Sequence, residues 1–83
     1  MLNRPSQLLN RISSNPEIFN GKPIIRDMRF KVADILDYLA SGMTAEEILT
    51  DFPYLEKEDI EAALLYASKK IDHTILSVTL DEA

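Results

Sequence analysis

The sequence predicts a mainly α-helical fold: a three-helix, helix-turn-helix-like cluster preceded by a short β arm or hairpin. Three observations carry that expectation. Apolar residues recur at helical spacing between Val32 and Ile71. Gly42 and Pro53 cut this stretch into three pieces. Ahead of it the apolar period shortens to two, next to an Asn20-Gly21 turn signal. The 83 residues suffice for one small domain with three parts. These are an N-terminal segment over 1–31 with a short helix and a basic β arm, a three-helix core over 32–73, and a tail over 74–83.

Taken in order, residues 1–10 suit a short helix through Pro5, Leu8, Leu9 and Ile12. Ser13-Ser14-Asn15-Pro16 reads as a turn. Ile18-Phe19 and Pro23-Ile24-Ile25 read as extended pieces of a hairpin about Asn20-Gly21. Met28, Phe30 and Val32 alternate with Arg29 and Lys31, the pattern of a strand with a basic outer face. Val32, Ile35, Leu36 and Leu39 then form one face of a helix that Gly42 can end in a left-handed conformation. Thr44-Ala45-Glu46-Glu47 has the spacing of a capping box. A second helix follows through Ala45, Ile48, Leu49 and Phe52, and Pro53 stops it. The third helix is expected to present Ile60, Ala63, Leu64, Ala67 and Ile71, with acids in its first turns and Lys69 and Lys70 near its end.

Charge is distributed unevenly. Residues 1–31 hold six basic and two acidic side chains, a balance of +4, whereas residues 32–83 hold three and twelve, a balance of −9. The net charge of −5 argues against a general nucleic-acid binder, and the asymmetry points to an interaction surface. With no cysteine, disulfides, thiolate metal sites and cysteine catalysis are excluded. The single histidine, His73, excludes a histidine metal cluster. No apolar run reaches membrane-spanning length and the first residues lack a signal-peptide pattern, so a cytoplasmic protein is expected. A core this thin commonly needs association, and a homodimer is expected.

Candidate catalytic groups are sparse. The neighbours Glu46/Glu47 and Glu58/Asp59 diverge on a helix and suit capping and solvated positions. Asp34 and Asp37 share a face, but two carboxylates make a weak Mg²⁺ site. Asn20-Gly21-Lys22 is no phosphate loop, and His73 has no nucleophile beside it. No enzyme activity, cofactor, metal or small-molecule substrate is therefore expected. For nucleic acid, the start of the third helix carries Glu56, Glu58, Asp59 and Glu61 against Lys57, which opposes the phosphate backbone. Lys22, Arg26, Arg29 and Lys31 on the β arm are the better nucleic-acid candidates. The alternative is that they pair with acids of the same fold or of a partner. Ile75, Leu76, Val78 and Leu80 form a candidate docking segment for a protein partner, or cover the core themselves.

Several motifs stand in one order: Asn15-Pro16-Glu17-Ile18, then Gly21-Lys22-Pro23-Ile24-Ile25-Arg26, then Arg29 before an apolar residue and Val32 opening a helix. Leu39-Ala40-Ser41-Gly42-Met43-Thr44-Ala45-Glu46-Glu47-Ile48-Leu49, Phe52-Pro53-Tyr54-Leu55 and Glu58-Asp59-Ile60-Glu61-Ala62-Ala63-Leu64-Leu65-Tyr66-Ala67 follow. With these the stretch 15–67 resembles the bacterial DUF433 domain. It departs from the family pattern after Arg26, where Asp27, Met28 and Lys31 replace a glycine, a threonine and a proline. Glu56 likewise stands where the family tends to have threonine. The resemblance implies a small homeodomain-like or winged-helix-like domain, often dimeric. It further implies an antitoxin that binds and neutralises a PIN-like ribonuclease toxin. A dimeric DNA-binding autoregulator that uses the basic β arm is the alternative.

Overall fold

The helices form where spacing and caps place them. The computed structural model describes residues 4–73, with helices α1 (Arg4–Leu9), α2 (Val32–Ala40), α3 (Ala45–Asp51) and α4 (Lys57–His73). Strands β1 (Ile12–Ser13) and β2 (Ile24–Ile25) pair antiparallel, Ile12 opposite Ile25 and Ser13 opposite Ile24. The fold is thus mainly helical with a small β element near its start.

Gly42 closes α2 with φ +104°. Its amide donates to Leu39 O at 3.1 Å and the Met43 amide donates to Tyr38 O at 3.0 Å, the paired bonds of a Schellman motif. Thr44 and Glu47 complete the capping box of α3. The Glu47 amide donates to Thr44 Oγ1 at 3.1 Å, and the Thr44 amide donates to Glu47 Oε1 at 2.8 Å. Both devices satisfy backbone groups that a helix end leaves without partners.

One core serves the whole described chain. Ile25 and Phe30 from the arm are buried with Val32 and Ile35 of α2, Ile48 of α3, Leu55, and Ile60 and Ala63 of α4. Phe30 is the aromatic hub, its ring centroid 5.0 Å from Phe52, 6.1 Å from Tyr54 and 6.4 Å from Tyr38, edge-on to each. This clamps the arm onto α2 and the α3–α4 connection. Leu8 is buried as well, where α1 packs against α4.

The arm differs from its sequence reading. No strand runs through 28–32. Arg26 and Asp27 have φ of +44° and +59°, and the Met28 amide donates to Ile25 O at 2.7 Å, so the chain reverses there. Only Phe30 and Lys31 return beside β2, through an Ile25 amide bond to Phe30 O (3.0 Å) and an Ile24–Lys31 bridge. Asn20-Gly21 does turn, with φ of +58° and +83°, but it sits within the longer connection from β1 to β2, and Ile18-Phe19 forms no strand beside β2. Ile18 is spent on turns, its amide bonded to Asn15 O (2.8 Å) and its carbonyl to the Gly21 amide (3.1 Å). The partner of β2 is therefore β1, and Ile12 lies in that strand rather than on α1. β2 is flanked on both edges, and Ile24 and Ile25, which point to opposite faces, are both fully buried.

The third predicted helix is also turned from its expected face. Ile60 and Ala63 are buried, but Leu64 and Ile71 are 49% and 67% exposed. Asp59 and Ala62 face inward beside Ile60 and Ala63, with Tyr66 half-buried against the core. Spacings of three and four residues put these on one stripe, with Asp59 at its N-terminal end.

Candidate functional site

Asp59 is fully buried, although an aspartate in the first turn of a helix ordinarily faces water. Its carboxylate accepts four hydrogen bonds. Arg26 approaches in a fork, Nε at 3.0 Å from Oδ1 and Nη2 at 2.7 Å from Oδ2. Arg11 Nη1 donates to Oδ1 at 2.9 Å, and the Glu56 amide donates to Oδ2 at 2.8 Å. This last bond is half of a capping box and replaces the weak side-chain cap that Glu56 offers. Arg11 also pairs with Glu56 Oε1 at 2.7 Å, and Arg26 Nη2 donates to Tyr54 O at 3.1 Å.

Local backbone geometry delivers both arginines. The Arg26 amide donates to Arg11 O at 2.8 Å, which ties the start of the left-handed turn to the residue just before β1. From there both guanidinium groups reach the start of α4. Burial raises the Asp59 pKa, but the bonds from Arg26, the Glu56 amide and Arg11 outweigh it and hold the carboxyl below its ordinary value. Arg26 is raised, first by its bond to Asp59, and Arg11 by its bonds to Glu56 and Asp59. With its lone pairs filled, Asp59 is an anchor between arm and helix. The sequence expects Asp59 to cap or to lie at the surface; it does cap, but it is buried. The one local signal was the Glu56-x-x-Asp59 spacing of a cap.

The four basic candidates of the arm therefore separate. Arg26 turns inward to Asp59. Arg29 is exposed and makes no ion pair among the described residues. Lys22 and Lys31 come together at the rim of a trough of about 370 Å³ between the arm, α2 and the second half of α4. Pro23, Val32 and Leu36 line it on one side, Tyr66, Ala67 and Ile71 on the other, and Lys70 completes the rim. On another part of the surface, Glu46, Glu47 and Asp51 of α3 surround an open concavity of about 450 Å³ with Met43 and Thr50. The candidate docking residues Ile75, Leu76, Val78 and Leu80 lie outside the described residues. Asp34 is half-buried and Asp37 exposed. Among the described residues no three His, Asp or Glu side chains gather in a metal-binding group. No described helix is long and apolar enough to cross a membrane.

The family model described as "Protein of unknown function (DUF433)" matches residues 12–67. The chain belongs to the DUF433 family. The matched stretch holds Arg26, Asp59 and Glu56, and Arg11 stands just before it. An uncharacterized protein of Sinorhizobium fredii, y4eO, is 36% identical over 56 residues, which are 68% of this chain and 25% of that protein. This DUF433 chain thus spans about a quarter of the length of that curated relative. The crystal structure of a DUF433 member from Anabaena variabilis is similar with a TM-score of 0.71 and 30% identity, over 81% of this chain and 66% of that one.

Proposed function

We propose that this DUF433 chain is a non-catalytic protein-binding module, an antitoxin-like partner that neutralises a PIN-like ribonuclease. One observation carries the reading: Glu46, Glu47 and Asp51 are all exposed around the α3 concavity, whereas Arg11 and Arg26 are spent within the fold. An unshared acidic face steers association with a basic partner and excludes acidic ones. It suits the cationic surface along which a ribonuclease holds RNA. Glu47 caps α3, so Glu46 and Asp51 are the acids free to face a partner.

The test is co-expression with the product of the adjacent open reading frame, which this reading expects to be a small nuclease. The expected result is a co-purifying, salt-sensitive complex with suppressed ribonuclease activity. Reversing Glu46 and Asp51 to lysine should weaken it at least tenfold. A nuclease that stays active and separate would end this reading.

A second reading, a dimeric DNA-binding regulator, draws on exposed Lys22 and Arg29 with half-buried Lys31. Gel shift with the region upstream of the gene tests it, using the Lys22→Ala, Arg29→Ala, Lys31→Ala variant. Arg26 is left out because its loss dismantles the Asp59 cluster. Light scattering of the free chain tests the homodimer.

A further inference from the structure

The lysine-rimmed trough is built, and nothing in the proposed function uses it. Its floor is apolar, and Ile71 at its end is two-thirds exposed. Lys22, Lys31 and Lys70 gather around it, three of the five lysines of a chain whose net charge is −5. Two of these ammonium groups are held over rings, Lys31 Nζ 5.2 Å from the Phe19 centroid and Lys70 Nζ 5.5 Å from the Tyr66 centroid. Phe19 supports Lys31 from a left-handed backbone, φ +51°, which a bulky residue adopts only under strain. Apolar walls with a cationic rim select an apolar segment that carries carboxylates.

This chain supplies such a segment. Residues 74–83 hold Ile75, Leu76, Val78 and Leu80 followed by Asp81 and Glu82, and they begin three positions after Ile71. We propose that the trough is the docking seat for residues 74–83, their apolar side chains on the trough floor and their carboxylates among the three lysines. A volume of about 370 Å³ accommodates a few aliphatic side chains, not the whole segment. The seat thus takes two or three of the four, and the lysines hold the acidic end.

The natural chain has no cysteine, so directed disulfide trapping in the full-length protein gives a clean readout. Ala33, an exposed trough residue, is changed to cysteine together with Val78→Cys. A control pairs Val78→Cys with Thr50→Cys, which lies on α3 outside the trough. The expected result under mild oxidation is at least tenfold faster trapping of the trough pair. A cross-linked monomer assigns the segment to the trough of its own chain and supports the proposal; a cross-linked dimer, which seats it on a second copy, would overturn it. Adding Lys22→Glu, Lys31→Glu and Lys70→Glu should slow trapping severalfold while the thermal melt stays unchanged. Equal trapping by the two pairs, or none, would overturn the seat. Trapping indifferent to charge reversal in a folded variant would overturn the role of the lysines. Neither result depends on a nuclease, so failure here is separate from failure of the antitoxin reading.

Discussion

Asp27 shows how a single residue records a local compromise. Its φ of +59° lies in the region that glycine enters freely and other residues enter at a cost of about 1–2 kcal/mol, least for Asn and Asp. Its amide donates to Ser13 Oγ at 2.8 Å, a bond that glycine retains. Asp27→Gly is therefore expected to stabilise the fold by about 0.5 kcal/mol, strain relief exceeding the extra chain entropy. The check is a urea titration with a higher midpoint and an unchanged slope. Arg26, the neighbour of Asp27, pairs with Asp59 across the fold.

At the scale of elements, α2 and α3 are short and rely on their ends. Nine and seven residues are below the length at which an isolated helix persists. The Schellman turn at Gly42 and the capping box at Thr44 lie two residues apart, so one link closes α2 and opens α3. Thr44→Ala removes the acceptor for the Glu47 amide and should cost about 1 kcal/mol. The loss is to be read from thermal unfolding, and restoration by Thr44→Ser separates capping from packing. These devices were legible because each is a pattern within four or five adjacent residues. The direction of α4 was not. An apolar count favoured Leu64 and Ile71, whereas Asp59 had to meet two arginines from a distant part of the chain.

For the molecule as a whole, the Asp59 cluster joins the arm to the last helix. Arg11 and Arg26 lie 48 and 33 residues before Asp59, so the cluster forms only when the chain has closed on itself. Breaking such a buried pair from one side leaves uncompensated charge and commonly costs about 3–5 kcal/mol, a large share of a small domain's stability. The cluster also sets an acid limit. Because Asp59 is held below its ordinary value when folded, the unfolded chain binds the proton more readily as pH falls. Its contribution is present above the unfolded carboxyl value of about 3.9 and is lost as pH drops through the folded value. The melting temperature should hold from pH 7 to about pH 5 and fall below about pH 4. Asp59→Asn should start lower and fall less steeply over the acid range. An acid limb identical to that of the natural chain would assign the effect to other carboxylates.

The sequence by itself determined the helical class, the boundaries of α2 and α3, the cap between them and the family. Those features rest on spacing, turn residues and ordered motifs that are local in the chain. Only the tertiary structure decided that β2 pairs with β1, that Arg26 faces inward, and that Asp59 is buried. Strand pairing and charge pairing are settled by which distant segments meet, and that meeting is not written in the spacing of neighbouring residues.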